Sequence, residues 1–328
     1  MIIKLLPIFL LNLFIIKYIN SIIKSINLFD SPDNNRKIHK IKTASIGGFI
    51  IFINLIFYYF LFVVLNHGSF HDYFLWLFAF CIFGIGFFDD KYKLNANLKF
   101  ILFIFFAYLI FKIDNNLIIT QLNFSFLNDN IGLGKFALIF SIISLVIFLN
   151  AFNMFDGINL QSSIYAIFVF SIFIFKGYFV DLSIIIIISL FFFLYLNYKN
   201  ISFLGDNGSL LVAFLIAYVF MSSSNQDIFF ADEILLIMLI PGLDLIRLFF
   251  IRLINKKSPF VADNDHFHHH LLKKFGLIKT NLTVLFINVL SYTLAVVTNS
   301  FLIFIILNIA LYFFILTYLK KQTNVQKL

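Results

Sequence analysis

The stretch Ile46–Leu65 contains no charged side chain, and Phe136–Phe152 and Phe301–Tyr318 are equally bare. Runs of this length constrain the fold more than any other feature of the chain. Crossing a bilayer takes about 17–25 apolar residues. In lipid, only a helix or a closed barrel satisfies its own backbone. The period-two alternation of a barrel strand is absent, which leaves helices. Charged residues make up 12% of the 328, and hydrophobic ones 62%. A soluble domain is about 25% charged, so water is not the main solvent for this surface.

Apolar segments recur near 2–23, 44–65, 70–88, 97–113, 134–153, 160–176, 180–198, 207–222, 231–254, 281–298 and 299–319. The expected fold is therefore all-α: a polytopic integral membrane protein of about eleven transmembrane helices, forming one membrane domain over 1–328. The opening MIIKLLPIFLLNLFIIKYINSII has no small-residue cleavage pattern and reads as the first span, with Lys4 and Lys17 snorkelling to the interfaces. The single cysteine, Cys81, excludes an intramolecular disulfide and a thiolate metal site.

Nineteen of the twenty-four Lys and Arg residues fall in segments that follow odd-numbered spans, in the adjoining ends of the flanking spans (Lys99, Arg247 and Arg252) or in the C-terminal tail. Short basic loops stay in the cytoplasm, so the N-terminus is expected outside and the C-terminus inside. The net charge of +8 reflects this topology rather than a nucleic-acid partner.

Five polar clusters also follow odd spans, which places their chemistry on one membrane face. They are SPDNNRKIHKIKTASIGG (31–48), DDKYKLN (89–95), NAFNMFDGIN (150–159), FLGDNGS (203–209) and Asp244–Leu272. Asp89 and Asp90 are adjacent at the end of an apolar run, where mutual repulsion and desolvation favour a bound cation. Mg²⁺ is the natural oxygen-liganding candidate, and a solvated acid pair is the plain alternative. Asn150, Asn153 and Asp156 recur every three residues and share a helical face. Amide and carboxylate groups in register suit a sugar or nucleobase, although Asn also bonds between membrane helices. Asp206 opens a helix flanked by Gly205 and Gly208, where N–H groups favour anions. On that stretch alone, an ordinary N-cap is the stronger reading. Pro241–Gly242 should kink the ninth span. Asp244 and Arg247 are three residues apart on a helix. Arg247, Arg252, Lys256 and Lys257 form a basic run suited to anionic lipid or a phosphorylated lipid substrate.

The stretch DNDHFHHHLL (263–272) gathers four of seven histidines. On a helix, His266, His269 and His270 would share a face, and His266 with His270 has zinc-site spacing. Zinc normally takes three or four close protein ligands. Imidazoles also donate hydrogen bonds to phosphate oxygens. With carboxylates for magnesium elsewhere on the same face, phosphate is the favoured reading.

In this order the clusters resemble the polyprenyl-phosphate N-acetylhexosamine-1-phosphate transferases, glycosyltransferase family 4, from Pro32 to His270. Residues 31–48 look like the family's first cytoplasmic loop and Asp89–Asp90 like its double aspartate. Asn153 with Asp156–Gly157 looks like its Asn…Asp-Gly motif, and Phe203–Ser209 like its Phe-x-Gly-Asp-x-Gly-Ser. Residues 259–272 look like its histidine loop. The setting of His266-x-His268-His269 is similar to the undecaprenyl-phosphate N-acetylglucosamine-1-phosphate transferase branch. The chain departs from the pattern at Ala44, where the family usually has proline, and at Asn159, where it usually has a second aspartate.

The resemblance implies transfer of an amino-sugar 1-phosphate from a UDP-amino sugar to a polyprenyl phosphate. UMP leaves and a lipid-linked surface glycan begins, on the cytoplasmic face of a bacterial inner membrane. It assigns Asp89, Asp90 and Asp206 to catalysis, with Asp206 and Asp90 on Mg²⁺ (or Mn²⁺). It gives Asn153 and Asp156 to the uridine, His266, His268, His269 and His270 to the diphosphate, and Phe203, Lys42 and Arg252 to substrate contacts. The implied partners are the nucleotide sugar, the lipid phosphate and the bilayer, with room for a homodimer and none for nucleic acid. The rivals are a phospho-MurNAc-pentapeptide translocase-type step and an ion-coupled transporter. The transporter requires ionisable groups near span centres.

Overall fold

A computed structural model describes residues 2–32, 41–64, 70–258 and 265–325. Part of the expected first loop (33–40, with Arg36, Lys37, His39 and Lys40) and part of the histidine stretch (259–264, with Pro259, Phe260, Asp263 and Asn264) lie outside the described residues. The chain's contacts gather into two compact units: Met1–Ile118 with Leu138–Ser222, and Ile119–Ala137 with Ser223–Leu328.

The first unit holds α1 (Ile2–Lys17), α2 (Ile19–Ile26), α3 (Gly47–Tyr58), α4 (Phe70–Tyr92), α5 (Ala96–Ile113), α6 (Ala137–Phe155), α7 (Gln161–Phe175), α8 (Val180–Tyr198) and α9 (Gly205–Ser223). Two short strands, β1 (Phe29–Asp30) and β2 (Thr43–Ala44), pair antiparallel. Helix α9 is its centre: 83% of its apolar window is buried, with Leu210 to Ile216 closed off on every side. A helix apolar all round belongs inside a bundle. Helix α8 packs on α7 and α3, and α1 on α8 and α3. Between α1 and α3, Asn12 and Asn54 exchange amide hydrogen bonds (2.7 and 3.0 Å), which answers the need of each buried amide for a partner. Large apolar side chains such as Phe9, Phe105 and Ile147 are exposed, as a lipid-facing belt would be.

The second unit holds β3 (Gln121–Leu122), β4 (Ile131–Gly132), α10 (Ala231–Ile237), α11 (Leu239–Ile254), α12 (Phe267–Thr298) and α13 (Phe301–Val325). Helix α13 packs on α10, α11 and α12. The kink expected at Pro241 falls one turn earlier: α10 and α11 meet at 75° across Met238. A proline ring clashes with the carbonyl four residues back, which here belongs to Ile237, the last residue of α10. Helix α12 is interrupted at Gly276, whose φ of 74° and ψ of 173° suit a residue without Cβ. His268, His269 and His270 therefore sit on a short helical segment before that break, with His266 at its N-cap.

Among the described residues, seven helices are long and apolar enough to cross a bilayer, or nine if each of two bent pairs is one span. The second bent pair, Leu5–Lys17 with Ile19–Ile26, turns by 72°. Two more apolar helices, Gly47–Leu61 and Gln161–Phe175, are shorter. Each expected segment coincides with one of these helices or pairs, and the chain is a multi-pass helical membrane protein.

Candidate active site

In the first unit, two sequence-distant acidic motifs meet because α4 and α9 touch without a side chain between them. A Cβ on Gly86 of α4 would lie 2.5 Å from both Asn207 Cα and Asp206 O of α9. Gly205 opens α9 at φ +75°, within reach of the Asp90 carboxylate. Asp90 then caps the helix. Its Oδ1 accepts from the Asp206 N–H (3.1 Å), and its Oδ2 from the Asn207 N–H (2.9 Å) and the Asn207 side-chain amide. A carboxylate at a helix N-terminus satisfies orphan donors and faces the positive end of the dipole. Both Asp90 oxygens are thereby engaged.

Asp89 and Asp206 face a shared cation. Lys99 Nζ lies 2.6 Å from Asp89 Oδ2 and 2.9 Å from Asp206 Oδ2. Asp89 Oδ1 also accepts from the Leu94 N–H (2.9 Å), which folds the short α4–α5 connection back onto the acid. Asn153, near the end of α6, donates to Asp206 Oδ1 (2.8 Å) and approaches Ser209 Oγ at 2.7 Å. Asp206 therefore sits between an ammonium and an amide, with one third of its side chain still exposed.

The segment before α3 is zipped to the segment before α9. Phe203 N–H donates to Ala44 O (2.8 Å), and Gly47 and Gly48 N–H donate to Phe203 O and Leu204 O (3.1 and 3.2 Å). The Asn207 amide reaches Ser45 O at 3.0 Å. Ala44 is buried, paired with Phe29 and bridged to Ser202, so neighbouring strands hold the backbone where the family usually has proline. Phe203 contributes through this backbone. Lys42 is exposed, with its ammonium 4.7 Å from the Phe29 ring centroid.

The end of α6 divides the expected triplet. Asn153 enters the pocket, whereas the Asn150 amide donates to Val146 O of its own helix (2.8 Å). Asp156, just beyond α6, accepts from the Ser162 hydroxyl. Burial pushes the Asp156 carboxyl up to about 7; the Ser162 hydrogen bond opposes this rise and the negative Asp206 adds to it. Asn159 donates to Asn197 O (3.0 Å) and Asn200 Oδ1 (2.7 Å). An aspartate here would have no hydrogen to give, so the departure from the family pattern serves the join to the end of α8.

The second unit holds a separate buried cluster. His266 is the N-cap residue of α12, with extended backbone (φ −64°, ψ 148°), so it stands off the helix that carries His268, His269 and His270. Of the face expected for His266, His269 and His270, the first two meet edge to face (5.7 Å), whereas His270 turns elsewhere. The His266 and His268 rings stack at 5.1 Å, and those of His268 and His269 meet edge to face at 4.4 Å. His270 turns to Asp265 (Nε2 to Oδ1, 2.7 Å). Asp265 also accepts from Arg247 and Lys320, each at 3.0 Å. Burial opposes its ionisation, but hydrogen bonds from His270, Lys320 and Arg247 outweigh burial and hold the carboxyl below the usual range. Asp244 accepts from Arg247 and Tyr312 and lies 2.8 Å from His266 Nδ1. Arg252 is buried on α11.

Both clusters have donors for a metal, of different chemistry. Asp89 and Asp206 already share one positive charge, and the acceptors about it are oxygens, which fits the hard cations Mg²⁺ and Mn²⁺. Asp244, His266 and His268 offer one ligand atom each, all within 4.8 Å of one another. That nitrogen-rich set would suit a softer divalent ion, and Arg247 already pairs with its carboxylate.

Lys99 is the functional residue that sequence reasoning missed. Its signal was a lysine in the first turn of an apolar helix, at the positive end of the dipole, where a cation is unfavourable without an acidic partner. Tyr312 and Lys320 carried no such signal, because their acidic partners Asp244 and Asp265 lie 68 and 55 residues away.

Residues 73–224 match the family model described as Glycosyl transferase family 4, a stretch that includes Asp89, Asp90, Lys99, Asn153, Asp156 and Asp206. A probable undecaprenyl-phosphate N-acetylglucosaminyl 1-phosphate transferase of Bacillus subtilis (strain 168) is 28% identical over 285 residues, covering 82% of this chain and 77% of the relative. The undecaprenyl-phosphate alpha-N-acetylglucosaminyl 1-phosphate transferase of Escherichia coli (strain K12) is 23% identical over 282 residues, and that of Salmonella typhimurium 24% over 290. Each covers 82% of this chain and 76% of the relative.

Proposed function

We propose that the chain is a member of glycosyl transferase family 4, whose model matches residues 73–224, and that it moves N-acetylglucosamine 1-phosphate from UDP-N-acetylglucosamine to undecaprenyl phosphate, as the names of its relatives suggest. A terminal oxygen of the lipid phosphate bonds to the β-phosphorus of the donor. The bond from that phosphorus to the bridging oxygen breaks, and UMP leaves with the electron pair. The acceptor monoester has a second pKa of about 6, so it needs placement and charge neutralisation more than deprotonation. The observation that carries the reading is the shared cation position between Asp89 and Asp206, with Asn153 fixing Asp206 from the other side.

Asp206 and Asp89 hold Mg²⁺ in this reading. Bound there, the ion would neutralise charge on the phosphates. Asp90, which the resemblance gives to the metal, has both oxygens on the start of α9 and in this reading orients Asp206 through that cap. Lys99 bridges the two carboxylates and offsets their repulsion, and with an ion bound it would be a phosphate contact. Asp156 and Asn153 are uridine contacts in this reading, and His266, His268, His269, His270 and Arg252 are the phosphate-binding groups of the second unit. Lys42 is a weaker candidate, being exposed on the first loop. The protein lies in a bacterial inner membrane with its N-terminus outside and this chemistry on the cytoplasmic face. The acids stand at helix ends, unlike the mid-span groups of an ion-coupled transporter.

The test is UMP release by detergent-purified protein given UDP-N-acetylglucosamine, undecaprenyl phosphate and Mg²⁺. Asp206→Ala should lose at least about a hundredfold in kcat, the scale of removing one preorganised electrostatic group, while still inserting in the membrane as a folded protein. Unchanged turnover would overturn the assignment of Asp206. Turnover only with UDP-MurNAc-pentapeptide would replace the donor.

A further inference from the structure

The Asp244 carboxylate is buried and oriented from three sides. Its Oδ1 accepts from Arg247 (2.8 Å), from the Tyr312 hydroxyl (2.7 Å) and from the Phe267 backbone N–H (3.1 Å). Arg247 Nε in turn donates to the Tyr312 oxygen (2.9 Å), which closes a ring of contacts around that one atom. The other oxygen, Oδ2, faces His266 Nδ1 at 2.8 Å. A carboxylate with three donors on one oxygen has no hydrogen to give, so Nδ1 carries the proton of this pair. That choice leaves Nε2 as the only ring nitrogen able to meet a ligand.

We propose that Asp244 is a positioning residue: it acts through His266, holding the imidazole with Nδ1–H turned inward and Nε2 presented to the phosphate-bearing substrate. The inference rests on the transferase reading for the identity of that substrate. Backbone geometry alone would not do this. As the N-cap residue, His266 has extended φ and ψ and its side chain caps no N–H of α12. Its ring stacks on His268 (5.1 Å) and meets His269 edge to face (5.7 Å), contacts that hold the ring plane but do not choose which nitrogen carries the proton. The carboxylate supplies that choice. The same carboxylate also accepts from the first N–H of α12, so ring and helix start are registered to one atom group. This is the logic by which a carboxylate behind a histidine sets its tautomer and aim, and loss of such a support typically lowers function by about 10–100-fold.

Two measurements test it. In turnover, Asp244→Asn should raise KM for UDP-N-acetylglucosamine at least about tenfold with a smaller change in kcat. In a His266→Gln background it should add almost nothing, since two residues that act as one do not add. A full additional loss in that background would show that Asp244 acts otherwise and overturn the proposal. Tyr312→Phe removes one orienting donor without removing the charge, and it keeps the test open if Asp244→Asn does not fold. It should move KM in the same direction by a smaller factor, and again only when His266 is present. The second measurement needs no turnover. Nitrogen NMR of ¹⁵N-histidine-labelled protein, with His266→Gln identifying the signal, should show His266 protonated at Nδ1 in the wild type and mixed in Asp244→Asn. An Nε2–H tautomer in the wild type would overturn the inference. So would one equivalent of Zn²⁺ bound by wild type and lost in His266→Gln, because Asp244 and His266 would then be ligands together. Absent turnover with an Nδ1–H signal intact would count against the transferase reading alone.

Discussion

Replacing Lys99 with Met would leave Asp89 and Asp206 facing each other without the ammonium that now lies 2.6 and 2.9 Å from them. Unit charges 3 Å apart at an effective dielectric of 20 interact by about 5 kcal/mol, an upper bound for each pair. The Lys99 and Asp89 side chains are only 13% and 10% exposed, but Asp206 is 34% exposed and partly screened. Breaking a buried pair from one side is worth about 3–5 kcal/mol, and the screening of Asp206 favours the lower end. At about 2 °C per kcal/mol for a chain of this size, Lys99→Met should melt roughly 5–10 °C below wild type in chelator. If the two acids are the metal site, Mg²⁺ should restore much of that loss, since an ion at a hundred times its Kd adds about 2.7 kcal/mol. The assay is thermal unfolding in detergent, with EDTA or Mg²⁺ at matched ionic strength. Equal melting in EDTA, or an equal Mg²⁺ increment for both proteins, would refute the shared-cation argument.

Asn159→Asp, which restores the usual family residue, should destabilise the protein by about 1–3 kcal/mol, because a carboxylate cannot donate to Asn197 O and Asn200 Oδ1; denaturation against wild type checks this. Asp156 stays protonated in the folded protein to about pH 7, whereas an unfolded aspartate ionises near pH 4 (about 3.9). The folded state therefore holds the extra proton in that window, and stability contributed by Asp156 is full below about pH 4 and lost as pH rises to about 7. Asp156→Asn should flatten melting temperature over that window, and an unchanged slope would count against the buried carboxyl. Gly86→Ala should separate α4 from α9 at a cost of about 1–3 kcal/mol or more, since the new methyl meets backbone rather than a movable side chain. Turnover should fall together with melting temperature.

Much of the site chemistry was legible because it is local. Asp89–Asp90, Asn153 with Asp156, and Phe203–Ser209 announce themselves as polar groups at the ends of apolar runs, where an unpaired charge is unfavourable. Their individual duties were not legible. Asp89 and Asp90 are neighbours in sequence, yet one faces Lys99 and the other caps α9. Asn150 and Asn153 share a helical face, yet only Asn153 reaches Asp206. Each outcome depends on which helix lies opposite, and no local pattern records that.

Length, hydropathy and the missing period-two alternation determine that this chain is made of membrane helices, because in lipid only a helix or a closed barrel satisfies its own backbone. They also place its breaks near Pro241 and the polar segments at helix ends. Tertiary structure decides the rest. Glycine-close contact between α4 and α9 turns two acidic motifs 116 residues apart into one cation site. The extended backbone at His266 takes it off the helix and onto Asp244. A carboxylate is a ligand, a cap or a clamp according to which donors reach its oxygens, and packing sets those distances.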